Sequence, residues 1–307
     1  MPVSPTARLA GHDVPRVGYG AMQLRGDTVD RDAAVALLRE AVASGIRHID
    51  TAEFYTGVND LIREALRPGT DDLVLATKVG AVESPEHGLV AAQRPAELRA
   101  QVEANLRSLG VERLGVVYLR RADQAPGIVA TGDQVVPLDD QLAELAALRD
   151  EGALEGIGLS TVTVEQLRQA LPIGIVAVQN AYNLAARENE PELELAAEHG
   201  IAWVPFFPLG SGFALRDDMP ASFRRLLSVT ALPEVVAAAA ELRATPSQVA
   251  LAWLLQHRDN VLLIPGTRSS RHLQENIAAG ALELPGDVVA ALDAVAARPG
   301  ADVGGRP

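Results

Sequence analysis

A chain of 307 residues that is 48% hydrophobic and 22% charged has material for one large core and too little charge for a disordered polymer. Its formal charge of −13 speaks against a nucleic-acid partner, which needs a clustered positive field, so any anionic ligand must be held locally by amides and a few arginines. The lack of cysteine excludes disulfides and thiolate metal sites and fits a reducing compartment.

From the amino terminus, Met1 to Asp13 lacks the apolar stretch of a secretory signal, and no apolar run reaches membrane-spanning length. The expectation is a cytoplasmic protein with no membrane partner. Short apolar runs then alternate with longer segments of helical period, the pattern of βα units on a parallel sheet. The strand cores are expected at Val17–Ala21, His48–Asp50, Leu73–Lys78, Val116–Leu119, Gly156–Ser160, Val176–Asn180, Ala202–Phe206 and Val261–Pro265. Eight such units predict a closed (β/α)8 TIM barrel spanning the chain as one domain.

Helix punctuation supports this register. Leu98, Val102, Leu106 and Leu109 share a helical face opened by Pro95 and closed by Gly110. Thr163 with Gln166 and Thr245 with Gln248 match capping boxes, and Gly45, Gly152 and Gly200 stand where helices should end. Two connections exceed what packing requires, Ala122–Pro137 and Gly210–Pro233, which marks them as functional or mobile loops; the Gly- and Pro-rich tail 298–307 is expected to be disordered.

In such a barrel the reacting groups sit at the carboxyl ends of the strands. There the second strand ends at Asp50 with Tyr55 just beyond, the third at Lys78, and the fourth in Arg120 and Arg121. This set suits carbonyl reduction, in which hydride reaches carbon while a proton is delivered to the developing alkoxide. A tyrosine, with an ordinary pKa of about 10, is a poor proton donor at neutral pH unless an ammonium stabilises the phenolate it leaves behind. Tyr55 would be the acid, Lys78 the cation that tunes it and Asp50 the anchor of Lys78. Singly, Asp50 could be a turn residue, Tyr55 a loop aromatic and Lys78 a strand-end lysine reaching for solvent. Their convergence favours the catalytic reading. His48 is expected to fill a barrel layer, Trp203 and Trp253 to pack, and Asp71-Asp72 and Asp139-Asp140 to lie on solvated element ends; the six histidines show no metal spacing, so no metal is expected.

The segments Gly18–Gln23 (Gly-Tyr-Gly-Ala-Met-Gln), His48–Tyr55 (His-Ile-Asp-Thr-Ala-Glu-Phe-Tyr), Thr77–Gly80, Gly158–Thr161, Val178–Asn183, Pro205–Gly210 and Ile264–Thr267 resemble, in order, those of the aldo-keto reductases, from about Arg16 to Ala279. Within that superfamily Gly18–Leu24, Pro205–Gly210 and Leu251–Gln256 resemble the bacterial pyridoxal reductases, which adds pyridoxal to the small carbonyl substrates to be considered. The resemblance implies NADP(H), bound extended without a Rossmann module. It implies that Ser160, Thr161 and Gln179 hold the nicotinamide carboxamide and that Phe206 stacks on its ring. Gly20, Met22 and Asp50 would line the same pocket, with Pro208, Leu209 and Ser211 in the loop after the seventh strand. Gly266, Thr267, Arg268, Ser269 and His272 would form a 2′-phosphate site at a helix start, followed by Glu275 and Asn276 against adenine.

Two positions depart from the pattern. Thr161 stands where asparagine is common, and Arg120 stands where most of the superfamily carries histidine in Tyr-Leu-His-Arg. An arginine brings permanent charge and a fork of donors. Arg120 would stabilise the Tyr55 phenolate, bind an anionic substituent such as a pyridine phenolate, or make an inert rim salt bridge with Asp123. Three rival readings follow: a nicotinamide-sensing module with little catalysis, a reductase of a specialised natural-product carbonyl, and a barrel isomerase or aldolase using Lys78 as a Schiff-base nucleophile.

Overall fold

A computed structural model describes residues 4–26, 29–67, 69, 72–123, 127–210 and 229–295. Ser211, most of the loop Gly210–Pro233 and the tail 298–307 lie outside the described residues.

An antiparallel hairpin, β1 (Thr6–Leu9) and β2 (His12–Pro15), precedes the barrel. The barrel elements follow as β3 (Tyr19–Gly20), α1 (Arg31–Ala43), β4 (His48–Asp50), α2 (Val58–Leu66) and β5 (Val74–Val79). A second hairpin, β6 (Ala81–Ser84) and β7 (Gly88–Ala91), leads into α3 (Pro95–Leu109) and β8 (Leu114–Arg120). The chain continues through α4 (Leu138–Asp150), β9 (Leu154–Ser160), α5 (Val164–Ala170), β10 (Ala177–Gln179), α6 (Glu190–Glu198) and β11 (Ala202–Trp203). The described helices beyond are α7 (Pro233–Leu242), α8 (Pro246–His257), α9 (Ser270–Ala278) and α10 (Gly286–Asp293).

Seven parallel strands form one sheet in the order β11-β10-β9-β8-β5-β4-β3. The segment after α8 closes it, because Val261 bridges Trp203 and Leu263 bridges Val17, both in parallel sense. The eighth strand expected at Val261–Pro265 is therefore present as this seam, and the closed (β/α)8 barrel stands.

Period-two alternation divides the core in two. Val74 and Ala76 of β5, with Val116, Tyr118, Ala177, Ala202, Val204, Leu262 and Ile264, fill the barrel lumen, while Leu75 and Val79 pack outward against the helices. Leu9 and Val14 of the first hairpin belong to the lumen cluster and plug its amino-terminal end. The same alternation sends Asp50 and Lys78 inward and leaves Thr51 and Thr77 facing the helices.

The capping boxes at Thr163 and Thr245 both form, and Gly45, Gly110, Gly152 and Gly200 all take positive φ. One expectation shifts. The deepest positions of α3 are Leu98, Gln101, Val102, Asn105 and Leu109, so its inner face is turned toward two polar residues and Leu106 is only half-buried.

Candidate active site

The carboxyl ends of the strands open into a cavity of about 1090 Å3. Asp50, Tyr55, Lys78 and Arg120 all line it, as do Gly20, Met22, Ser160, Thr161, Gln179, Phe206, Pro208, Leu209 and Gly266. The structure thus brings the four expected catalytic residues together with most of those expected around the nicotinamide. Thr267, Arg268, Ser269, His272, Glu275 and Asn276 follow Gly266 into α9 and are not part of the cavity wall. Arg268 and His272 are exposed there, Ser269 caps the helix by accepting from the His272 amide, and Glu275 pairs with Arg271 at 2.8 Å.

At the cavity floor Lys78 Nζ donates to Asp50 Oδ1 at 2.5 Å and to the Thr51 carbonyl at 3.0 Å. Gln179 Nε2 donates to the other carboxylate oxygen, Oδ2, at 2.9 Å. Asp50 and Lys78 are both buried, and Lys78 Nζ sits 5.2 Å from the centroid of the Tyr55 ring. Burial alone would discharge the ammonium, but Asp50, and Tyr55 beyond it, more than offset that and push the Lys78 pKa above its ordinary value. A lysine held in its charged form by Asp50 is a poor Schiff-base nucleophile, which speaks against the isomerase and aldolase reading.

A buried polar cluster braces this pair from behind. Thr51 Oγ1 donates to Asn59 Oδ1 at 2.9 Å, Asn59 Nδ2 donates to Asn105 Oδ1 at 3.1 Å, and Thr77 Oγ1 donates to the same oxygen at 2.6 Å. Thr51, Thr77 and Asn105 are fully buried. Since Thr51 follows Asp50 and Thr77 precedes Lys78, the cluster ties both strand ends to α2 and α3. Sequence reasoning missed it, although a polar Asn105 between Val102 and Leu109 on a helix face was a visible signal.

The two arginines at the end of β8 have different roles. Arg121 grips Asp123 through both carboxylate oxygens at 2.7 Å and also donates to the Val136 carbonyl and to Gln141. The salt bridge considered for Arg120 therefore belongs to Arg121. Arg120 faces the cavity, and its guanidinium makes no hydrogen bond or ion pair with any other described residue. Its backbone is fixed, because Gln93 Nε2 donates to its carbonyl at 2.8 Å, and Gln141 Nε2 in turn donates to Gln93 Oε1 at 2.9 Å. Burial draws the Arg120 pKa below the usual arginine value, with Tyr55 acting in the opposite direction.

In the same cavity, Ser160 and Gln179 are register partners on adjacent strands. A hydroxyl and a carboxamide therefore stand side by side. Thr161 takes positive φ and donates its backbone N–H to the Gln179 carbonyl at 3.2 Å. The glycines at the closing seam permit a close approach: a Cβ on Gly20 would stand 2.4 Å from the Ile264 carbonyl oxygen, and one on Gly266 would stand 2.6 Å from that of Gly20.

The aldo/keto reductase family profile matches residues 16–297. This chain belongs to the aldo/keto reductase family. It is 45% identical over 304 residues to pyridoxine 4-dehydrogenase of Escherichia coli strain K12, covering 95% of this chain and 98% of that protein. An uncharacterized oxidoreductase of Schizosaccharomyces pombe is 35% identical over 298 residues, covering 94% and 89%. An aldo/keto reductase from Klebsiella pneumoniae, solved in complex with NADP and acetate, superposes with a TM-score of 0.78 at 26% identity and covers 97% of both chains. Membership carries the barrel and the oxidoreductase class to this chain. Among the described residues no helix is long and apolar enough to cross a membrane.

Proposed function

We propose that this aldo/keto reductase reduces an aldehyde or ketone to an alcohol with NADP(H), and that Tyr55 delivers the proton. The observation that carries this reading is the buried Lys78–Asp50 pair directly beneath the Tyr55 ring. NADP(H), when bound, supplies the hydride that no side chain can supply. The wall fits its nicotinamide end: Ser160 and Gln179 present donor and acceptor groups suited to a carboxamide, and Phe206 offers a flat face in the same cavity. Thr161, Gly20, Met22, Pro208, Leu209 and Gly266 complete that half of the pocket. The amino-terminal end of α9, with Arg268 and His272 exposed beside it, suits the 2′-phosphate and adenine end.

A carbonyl oxygen seated against Tyr55 accepts the phenolic proton as its charge develops. The phenolate left behind is stabilised by the Lys78 ammonium, which Asp50 holds in place and Gln179 helps to orient. Asp50 thereby links the proton-donating side of the pocket to the nicotinamide side. The pyridoxal/pyridoxine pair is the substrate we propose, on the strength of the 45% identical pyridoxine 4-dehydrogenase, and the acidic, cysteine-free chain suits work in the cytoplasm.

The test is NADPH oxidation followed at 340 nm with pyridoxal and a panel of uncharged aldehydes, alongside fluorescence titration of NADPH. Tyr55→Phe should lose at least about a hundredfold in kcat while keeping its NADPH affinity. Retention of the wild-type rate by Tyr55→Phe would overturn the assignment of the proton donor.

A further inference from the structure

Among the described charged residues that line the cavity, Arg25, Lys78, Arg120, Asp50, Glu83 and Glu188, one cation stands without a local partner. Lys78 is neutralised by Asp50, whereas Arg120, on the next strand, has no carboxylate within ion-pair distance among the described residues. Glu83 and Glu188 line the same cavity but lie exposed at its rim, and Glu83 is engaged by Thr56 Oγ1 at 2.6 Å. An arginine cannot discharge itself at physiological pH, and even a half-buried guanidinium such as that of Arg120 loses part of its hydration without gaining a counter-ion. It is nevertheless mounted rigidly, its carbonyl held by Gln93 and its neighbour Arg121 clamped on Asp123. Arg120 is close enough to Tyr55 for the two to interact electrostatically. Phe54, Leu89 and Ile128 supply apolar wall to the same cavity.

We infer that Arg120 is a specificity residue that recognises an ionised oxygen on the carbon next to the one bearing the reacting carbonyl, so that the preferred substrates are planar, conjugated hydroxy-aldehydes in their anionic form. This rests on the reductase reading and narrows its substrate class. The fork of the guanidinium supplies the missing pairing while Tyr55 keeps the carbonyl oxygen. Reduction then proceeds as above, with no additional reactant.

Three aldehydes isolate the effect: 3-hydroxypyridine-4-carbaldehyde, its 3-methoxy analogue and pyridine-4-carbaldehyde. In the wild-type protein kcat/KM for the hydroxy compound should exceed that of the methoxy compound by about ten- to a hundredfold, the worth of a charge-assisted hydrogen bond. In Arg120→Gln this ratio should collapse toward one, mainly through the KM of the anionic aldehyde, and Arg120→Lys should recover part of it. A wild-type ratio near one, or a ratio that survives in Arg120→Gln, overturns the inference even if all three aldehydes are reduced. A merely structural arginine would lower the activities together and leave the ratio intact, which is the same overturning result. Calorimetric binding of the hydroxy and methoxy compounds to the NADP+-loaded protein separates the two claims. A binding preference lost in Arg120→Gln without turnover of any aldehyde would uphold the recognition role and sink the reductase reading.

Discussion

Gln179 donates its side-chain amide to Asp50 Oδ2 at 2.9 Å, so a residue from the sixth barrel strand grips the same carboxylate that anchors Lys78 from the third. Both carboxylate oxygens are thereby occupied, and Asp50 works as a buried hub for the ammonium beneath Tyr55. Asp50→Asn should therefore destabilise the fold by about 3–5 kcal/mol in urea titration, because it leaves a buried ammonium without its counter-charge. Asp50→Asn combined with Lys78→Met should recover much of that loss; a fully additive double variant would mean that the pair does not interact as the geometry says.

The sign of the alkaline response follows. The folded-state pKa of Lys78 lies above its ordinary 10.5, so its pairing contributes stability that is complete below about that pH and is lost as pH rises through the folded value. In Asp50→Asn burial remains and the larger attraction is gone, leaving only Tyr55 to oppose it, so the Lys78 pKa should fall below its ordinary value and the group's contribution should reverse, with stability rising as the ammonium discharges. Urea midpoints at pH 7, 9 and 10.5 for both proteins would show this, and parallel pH profiles would contradict it.

The polar cluster behind the pair gives a second expectation. Asn105 Oδ1 accepts from both Asn59 and Thr77, and its Nδ2 donates to the Gln101 carbonyl at 2.8 Å. Asn105→Leu orphans the buried Thr77 hydroxyl and should cost about 3 kcal/mol. Adding Thr77→Val removes the orphan and should restore part of the loss, measured by the same urea midpoints. If the second substitution deepens the loss, the Thr77 hydroxyl has another partner in solution.

The eight strands and the inward Asp50 and Lys78 were legible because hydrophobic runs, glycine stops and capping boxes are local signals that happen to agree with the barrel's period. The second hairpin, Ala81–Ser84 with Gly88–Ala91, was not, since its strands are four residues each and mostly half-exposed, too short for their period to stand out between the third strand and the helix after it. Asn59 and Asn105 are joined only through contacts between helices, and sequence periodicity carries no information on which buried amide meets which. Arg120 and Arg121 are neighbours of the same type. Only the alternation of a strand end, placing one at the cavity and the other against Asp123 and Gln141, tells them apart.

The seam between first and eighth strands makes a steric prediction. Gly20→Ala would put a methyl 2.4 Å from the Ile264 carbonyl oxygen, a backbone atom that cannot swing away. The strands must separate where the cavity opens, at a cost of about 2–3 kcal/mol. NADPH affinity should weaken in the same variant, because Gly20 and Gly266 both line the pocket. A thermal midpoint and an NADPH titration equal to wild type would show that the seam yields without cost and that the contact does not constrain the pocket.

His48 sets the acid response. It is buried in the barrel interior, its ring packed so closely on Gly18 that a Cβ there would lie 2.2 Å from Nε2, and neither ring nitrogen has a hydrogen bond of normal geometry among the described residues. Burial lowers its pKa to about 4, with the carbonyls of Leu263 and Pro15 only partly offsetting the effect. The folded protein therefore holds His48 neutral where an unfolded chain would take up a proton. Its contribution to stability is flat above pH 6.5 and falls as pH drops from 6.5 toward 4, by about 3 kcal/mol in all. Glu190, whose pKa His257 and Tyr182 hold near 2 despite the opposing effect of burial, responds at lower pH. Unfolding free energies measured at pH 7.5, 6, 5 and 4 for wild type and His48→Gln isolate the histidine, because every other titrating group is common to both. The difference between the two proteins should shrink in favour of the variant by that amount across the window. A difference independent of pH would mean that His48 is protonated in the fold, or reaches water, and that the barrel interior is less closed than its packing implies.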